Sequence, residues 1–457
     1  MSLPDTVRDL LDAELVAAQG SSRCPSIAAA LFRQGDVVWS GACGRVTGRP
    51  GGALATPDTA YRIGSITKIL TAIGVLQQVA AGRVSLDDPV GRVLTELPPE
   101  IGSVTARALL THGSGLLAEP VGPWWERSLG RRWEQLVPQL RRNDDLIGRF
   151  HYSNTGFAIL GELTARLDGR SWWDRVRDDI LLPLDMDRTT YDAGPGSAPG
   201  LAVHPDADLL HAEPAHDSGA MAPAGQLWST VGDLARLGMF LADGAHDVLD
   251  DTVRHRMQVP ALVDDVPGRS WSRAYGFGLD VIARGAVRYV GHGGSMPGFV
   301  GAVRVDARRG VGIAVLCNST AGFGDTLATS LLDVADQVPS TQAAAAPATP
   351  ADTGTAAEDI EGRWYWGPRP YRLRALRGGE LELAPDGGGR GSRFVPSGPD
   401  TWTGLDEYFA GERLRVLRRD AGPSHPPYLD LGTFRFTRAP YDPDCDIPGG
   451  TDPAGWH

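Results

Sequence analysis

The sequence contains very little lysine. Of its 44 lysine and arginine residues, only Lys68 is a lysine and all the others are arginine. An arginine keeps its proton in a protein, whereas a partly buried lysine can give its proton up. The single lysine is therefore a candidate for proton transfer, which a guanidinium cannot perform. The alternative is that Lys68 merely survives in a chain with a general bias towards arginine.

The sequence also lacks segments that direct a protein to a membrane. Neither a basic stretch nor an apolar stretch precedes Asp9 and Asp12, so we expect no secretory signal. No uninterrupted apolar run reaches the length of a membrane span. These absences predict a cytoplasmic protein without a membrane partner.

Patterns typical of metal and nucleic-acid binding are missing as well. The cysteines are scattered, without Cys-x-x-Cys pairs or histidines at metal spacing, which favours reduced thiols and no metal site: Cys24, Cys43, Cys317 and Cys445. A formal net charge of −12 argues against nucleic acid, because phosphate binding needs a basic face. No cofactor is implied. We expect a small-molecule or peptide substrate as partner, and the oligomeric state has no sequence signal.

Hydrophobic periodicity predicts the elements of the first part of the chain. Residues 5–20 follow a helical pattern, and the strand-like runs Ser26–Phe32 and Asp36–Ser40 predict a hairpin. Ser65–Ala81 has a strongly apolar helical stripe. Residues 84–259 are mainly helical and rich in loops.

A change of period marks the next part. From Tyr275 to Cys317 four runs with strand periodicity predict an antiparallel meander, whose first member is Tyr275–Val281. Asp325–Val338 predicts a closing helix. Trp124 and Trp125 lie in the preceding helical region, where aromatic residues usually serve packing.

Composition divides the chain into two domains. Residues 339–357 consist almost entirely of Ala, Pro, Thr and Ser, which is typical of a linker. Residues 358–457 carry short strand patterns up to about Arg438, which predict a small barrel or sandwich, and then an irregular tail from Tyr441. We therefore expect a main domain at 1–338 that folds without the C-terminal unit.

Chemistry-bearing residues occur at three places. Ser65 and Lys68 are three residues apart, so they share a helix face, and a serine with a lysine base is an activated nucleophile. Tyr152 precedes a helix, and a phenol near a lysine ammonium is expected to have a lowered pKa. Asn154 offers an amide to a substrate.

The third place is the stretch from His292 to Ser295. Gly293 and Gly294 suggest an edge strand that a substrate backbone can approach closely. The alternative for this stretch is a simple hairpin turn, and for Tyr152 and Asn154 a strand-to-helix turn. Each motif alone is weak.

In this order and spacing, Ser65-x-x-Lys68, Tyr152-Ser-Asn154 and His292-Gly-Gly294 resemble the three motifs of the penicillin-recognising serine hydrolases, in the branch related to class C β-lactamases. Residues 108–116 and 224–230 also resemble that branch, and the likeness covers about residues 10–337. It implies an α/β (α+β) fold, with an antiparallel sheet flanked by helices and a helical lobe. A small all-β, lipocalin-like domain would follow.

The resemblance implies a role for each motif. Ser65 would be the acyl-forming nucleophile, Lys68 its base, and Tyr152 the group that carries protons to the leaving group. Asn154 and the His292–Ser295 strand would bind the substrate. The backbone N–H groups of Ser65 and Ser295 would form an oxyanion hole.

His292 departs from the relatives that hydrolyse β-lactams, many of which have lysine there. A histidine with an ordinary pKa is mostly neutral at pH 7 and attracts a substrate carboxylate little. The sequence therefore predicts a serine hydrolase of the esterase, D-peptidase or amidase type, working through an acyl-enzyme, with weak β-lactam turnover. The alternatives are a stand-alone peptidyl cyclase that releases nonribosomal peptides, a true β-lactamase, and a non-catalytic binding protein.

Overall fold

The computed structural model describes residues 3–245, 247–264, 271–324, 326–336, 360–386, 390–417 and 427–440, and two short strands in 451–456. The predicted linker, 339–357, lies outside the described residues, as does the predicted tail apart from those two strands. Cys445 also lies outside them.

The helices begin and end as follows: α1 (Asp5–Ser22), α2 (Thr67–Ala80), α3 (Pro99–Gly102), α4 (Ala106–Leu110), α5 (Trp133–Leu136), α6 (Asn154–Asp168), α7 (Trp172–Val176), α8 (Ala222–Gly225), α9 (Val231–Asp243), α10 (Asp251–Met257) and α11 (Leu327–Ala335). Short 3₁₀ turns occur at Gly64–Ile66, Val90–Arg92, Val137–Gln139, Arg377–Gly379 and Glu407–Phe409, and a π turn at Arg177–Leu181.

The strands of the main domain are β1 (Ser26–Arg33), β2 (Asp36–Gly44), β3 (Tyr61–Arg62), β4 (Ser114–Leu116), β5 (Arg142–Ile147), β6 (Leu201–Val203), β7 (Leu210–Ala212), β8 (Trp228–Ser229), β9 (Leu262–Val263), β10 (Arg273–Tyr275), β11 (Asp280–Arg284), β12 (Val287–Met296), β13 (Phe299–Asp306) and β14 (Val311–Cys317). The C-terminal strands are β15 (Gly362–Trp366), β16 (Arg369–Ala375), β17 (Leu381–Pro385), β18 (Ser392–Gly398), β19 (Thr401–Gly404), β20 (Arg413–Leu417), β21 (Tyr428–Leu431), β22 (Phe434–Phe436), β23 (Thr451–Asp452) and β24 (Gly455–Trp456).

An antiparallel sheet with the strand order β2-β1-β14-β13-β12-β11-β10-β9 forms the centre of the main domain. All side chains of strand β1 except the last are buried. Since successive side chains point to opposite sides of a strand, both faces of β1 are covered. Ala28, Ala30 and Phe32 pack in the core shared with α2, α6 and α9. Ile27 and Leu31 pack against α1 and α11 on the other face. The predicted sheet flanked by helices is confirmed.

The predicted strand Tyr275–Val281 is wrong, because a turn divides it into β10 and β11. Gly278 has φ +73°, and a Cβ there would lie 2.2 Å from Ala72 Cβ of α2. Its N–H donates to Leu110 O at 3.0 Å. The backbone leaves the sheet at this point to pack against the helices, and only glycine fits such an approach.

The C-terminal strands β15 to β22 pair in chain order into a second antiparallel sheet. Reciprocal backbone hydrogen bonds between Tyr365 and Thr437, 2.8 and 2.9 Å long, join its first strand to its end and close it into a barrel. Its core is aromatic, with Trp364 and Phe436 fully buried. The expected all-β C-terminal region is confirmed.

Several expected features concern absences. No described helix has the length and apolarity needed to cross a membrane. Within the described ranges, no cluster of three or more His, Cys, Asp or Glu side chains has metal-binding geometry. Cys24, Cys43 and Cys317 are free thiols.

Candidate active site

The first wall of the site is the turn that leads into α2. Gly64–Ile66 forms a 3₁₀ turn, which places half-buried Ser65 just before the helix. The turn packs directly on β12. A Cβ at Gly64 would lie 2.5 Å from the Ser295 backbone nitrogen, and one at Gly294 would lie 1.9 Å from Ile63 O. Two glycines therefore bring the backbones of residues 64 and 295 together.

Lys68 lies beneath Ser65 and is completely buried. Its Nζ is 2.8 Å from Ser65 Oγ, 2.6 Å from Asn154 Oδ1 and 2.7 Å from Ala224 O. Burial lowers the pKa of Lys68 to about 7, although nearby carboxylates act in the opposite direction. A lysine amine of this kind exists in both protonation states near neutral pH.

Tyr152 covers the lysine from the other side. Its ring centroid is 5.0 Å from Lys68 Nζ. The expectation of a lowered phenol pKa is wrong, because burial raises the pKa of Tyr152 and outweighs the hydrogen bond with Ser65. A buried phenolate would lack the solvation it has in water, and Lys68 is only partly charged near neutral pH. Tyr152 is therefore a proton donor at neutral pH.

Asn154 is the first residue of α6 and is buried. Its two amide atoms face in different directions: Oδ1 accepts from Lys68 Nζ, and Nδ2 donates to Glu119 Oε1 at 2.8 Å. Burial, and then the neighbouring Glu126, raise the pKa of Glu119 to about 7. Asn154 thus links the lysine to a buried carboxyl group.

His292 is buried in β12 and is held by polar partners of its own. Nε2 lies 2.8 Å from Tyr275 Oη, and Nδ1 contacts Gly293 O. A neutral ring protonated on Nδ1 satisfies both, donating to the carbonyl and accepting from the phenol. Burial lowers the pKa of His292 to about 4. The ring centroid is 6.0 Å from that of Tyr152.

The predicted edge strand needs correction. Strand β12 lies inside the sheet, between β11 and β13. Only its first half, Val287–Gly291, pairs with β11, so in the described structure the half with His292–Met296 pairs with β13 alone. The two glycines also differ. Gly294 makes room for the backbone of Ile63, whereas a Cβ at Gly293 would meet only Arg304 Nη2, at 3.7 Å.

Sequence reasoning missed several groups that surround the lysine. Ala224 lies in the 224–230 stretch that carried the family resemblance, and Tyr275 begins a predicted strand, yet their contacts to Lys68 and His292 were not expected. His112, which lies in the 108–116 stretch, stacks on Tyr152 with the ring centroids 4.3 Å apart, and its Nδ1 accepts from Ser153 N–H. Glu119 follows the 108–116 stretch closely, and this proximity was the sequence signal that could have identified it.

The sheet flanked by helices, with Ser65 in the turn just before α2 and facing β12, defines a β-lactamase-fold hydrolase. The chain belongs to the Beta-lactamase family, whose model matches residues 6–336. A second model, described as a domain of unknown function (DUF7586), matches residues 353–438. Members of the first family include serine hydrolases that act as esterases, peptidases and amidases.

Individual relatives agree with this assignment. The D-alanyl-D-alanine-carboxypeptidase/endopeptidase AmpH of Escherichia coli (strain K12) is 26% identical over 295 residues, covering 59% of this chain and 73% of AmpH. The chain spans 46%, 60% and 43% of the lengths of three other curated relatives that it matches.

Two solved structures are similar over most of their length. The crystal structure of SurE has a TM-score of 0.63 and 25% identity, covering 95% of this chain and 99% of SurE. A D-stereospecific amidohydrolase from Streptomyces sp. has a TM-score of 0.58 and 26% identity, covering 70% of this chain and 97% of that protein.

Proposed function

We propose that the protein is a serine hydrolase that acts on an ester or amide through an acyl-enzyme on Ser65. The observation that carries this proposal is the 2.8 Å contact between Ser65 Oγ and the Nζ atom of Lys68. An activated nucleophile requires a base within hydrogen-bond reach. Lys68 is buried and is the sole lysine of the chain.

The surroundings of Lys68 suit a neutral amine. A neutral amine has two N–H donors and one lone pair. Asn154 Oδ1 and Ala224 O are acceptors and take the two donors, which leaves the lone pair for the Ser65 hydroxyl proton. The serine would pass its proton to Nζ as Oγ attacks the substrate carbonyl.

Two backbone N–H groups and Tyr152 would complete the reaction. The N–H groups of Ser65 and Ser295 belong to backbones that the Gly64 contact brings together, and they would hold the developing oxyanion. Tyr152, a neutral phenol beside Ser65, would donate a proton to the leaving group. It would then take a proton from the water that releases the acyl group. Asn154 and residues 292–295 would border the substrate.

We further propose substrates with a D-configured residue. The Streptomyces relative is named as D-stereospecific, and AmpH is named as a D-alanyl-D-alanine-carboxypeptidase/endopeptidase. β-Lactams would be poor substrates. Neutral His292, held by Tyr275, offers no fixed charge to the carboxylate of a penicillin.

The test is covalent labelling of the full chain, followed by a substrate panel. We expect a fluorophosphonate to add to the wild type and not to Ser65→Ala, with the mass shift read by intact mass spectrometry. Short p-nitrophenyl esters and D-amino-acid amides should turn over faster than L-amides and nitrocefin. Adding an amine tests whether it can replace water as acyl acceptor. An unlabelled wild type would instead support a non-catalytic binding protein.

A further inference from the structure

A tyrosine of the C-terminal barrel reaches the site of the main domain. Tyr408 lies in the 3₁₀ turn between β19 and β20, and its Oη donates to Glu119 Oε1 at 2.8 Å. The next residue, Phe409, is buried in the barrel core, and its N–H donates to Ser392 Oγ. The turn is therefore anchored in one domain while its tyrosine hydrogen-bonds to the other.

Glu119 connects this tyrosine to the candidate catalytic groups. The same oxygen that accepts from Tyr408 also accepts from Asn154 Nδ2, and Oε2 accepts from Trp125 Nε1 at 2.7 Å. Asn154 in turn accepts from Lys68. A continuous hydrogen-bonded path thus runs from the barrel to the nitrogen beneath Ser65.

The barrel also brings a positive charge to this path. Arg390 stands over the Tyr408 ring, 4.9 Å from its centroid, and pairs with buried Glu126 at 3.3 Å. Trp124, from the same loop as Glu126, packs 4.4 Å from Trp366 of the barrel. Two buried carboxyl groups of the main domain are therefore held by barrel residues.

We propose that Tyr408 is a positioning residue of the active site, which fixes the Glu119 carboxylate and through it the orientation of Asn154 and the charge state of Lys68. This inference rests on the proposed function, because it assigns Lys68 the role of base. It makes the barrel part of the reaction site even though the barrel lacks the nucleophile.

The expected direction follows from the charges around Lys68. The charged and titratable groups that act on Lys68 or Glu119, or border them, are Glu119, Glu126, Arg390, Asp280, Tyr152, Tyr408, His112 and His292. The Tyr408 hydrogen bond lowers the pKa of Glu119 and so favours its carboxylate. That carboxylate raises the pKa of Lys68. Without the phenol, Glu119 is less often charged, and Lys68 loses its proton more easily.

The experiment compares Tyr408→Phe with Tyr371→Phe in the full chain. Tyr371 is a buried tyrosine of the barrel core whose hydroxyl has no hydrogen-bond partner in the described structure, so it provides a matched loss of one phenol oxygen. The measurement is kcat/KM for p-nitrophenyl acetate against pH. We expect Tyr408→Phe to move the acidic limb to lower pH by about half a unit or more and to lower the plateau about threefold to tenfold. Tyr371→Phe should match the wild type.

The double variant Tyr408→Phe with Glu119→Gln tests the path. Glu119→Gln should itself move the limb to lower pH, and adding Tyr408→Phe should move it no further. If circular dichroism shows that Tyr408→Phe is unfolded, the Glu119→Gln variant alone tests whether the acidic limb moves to lower pH. An unmoved limb, even with a lower plateau, would reduce Tyr408 to a structural role and overturn the inference. A further shift on adding Tyr408→Phe to Glu119→Gln would also overturn it. Absence of fluorophosphonate labelling in the wild type would refute the proposed function instead.

Discussion

The two eight-stranded sheets of this protein differ in how the edges of their strands are paired. The main sheet is open, and within the described residues the second half of its strand β12 pairs with β13 alone. The barrel is closed through Tyr365 and Thr437 and holds an aromatic core inside. Unpaired strand edges are exposed hydrogen-bonding groups. In the main sheet, the half of β12 that pairs with β13 alone lies beside the candidate nucleophile Ser65.

The comparison shows how the chemistry is divided. The main sheet supplies backbone groups next to Ser65, while the closed barrel reaches Glu119 through a loop that carries Tyr408. We infer that the main domain provides the reacting groups and that the barrel adjusts their orientation and charge state. The following predictions test this division.

The largest effect should come from Lys68→Arg. Arginine keeps the charge but cannot act as a base, so we expect the acylation rate to fall by about a hundredfold or more. Stopped-flow acylation by a p-nitrophenyl ester measures it. Arg92→Lys, at an exposed position of the main domain, is the control and should leave the rate unchanged. Retention of more than about a tenth of wild-type kcat/KM would refute the proton-transfer role of Lys68.

A pH profile should show the next largest effect. The pKa of Lys68 is lowered to about 7, and its neutral form is the base, so the acylation rate should fall as the pH drops through about 7. The fall should approach tenfold per pH unit below that value. His292, with a pKa near 4, should not contribute above pH 5. If the acylation rate instead falls only at pH 5 or lower, a group other than Lys68 is the base.

Ending the chain after Val338 tests the predicted independence of the main domain. We expect a folded protein that still reacts with fluorophosphonate, about tenfold more slowly, because Glu119 and Glu126 lose their barrel partners and Trp124 becomes exposed. Circular dichroism and labelling kinetics measure both outcomes. An unfolded truncation would show that the barrel completes the main core.

The smallest effect should come from His292→Lys. A fixed charge would attract a β-lactam carboxylate, but the side chain is buried against Tyr275, so we expect the ratio of nitrocefin to ester acylation to rise only severalfold. His292→Gln, without charge, is the control and should leave that ratio unchanged. Nitrocefin turnover above that of the best ester in the wild type would contradict the assignment of β-lactams as poor substrates.

Local patterns in the sequence predicted much of the fold. The apolar stripe of α2 and the continuous apolar run of β1 identify a helix and a strand, because each pattern depends only on residues close together in the sequence. The three motifs likewise predicted which residues the structure brings together: Lys68 contacts both Ser65 and Asn154.

The features that could not be predicted depend on distant parts of the chain. Tyr408 meets Glu119 across 289 positions, and nothing near either residue signals the pair. The turn at Gly278 follows from the approach of α2. The raised pKa of Tyr152 follows from burial, which the residue type alone does not reveal.

The solitary lysine has a consequence for self-modification. An enzyme that carries an activated acyl group can pass it to amines on its own surface. Here the one side-chain amine of the chain is Lys68, which has no exposed surface, and every other basic side chain except histidine is a guanidinium. Guanidinium groups stay protonated and are poor acyl acceptors. The surface of the protein thus offers the bound acyl group no lysine amine to react with.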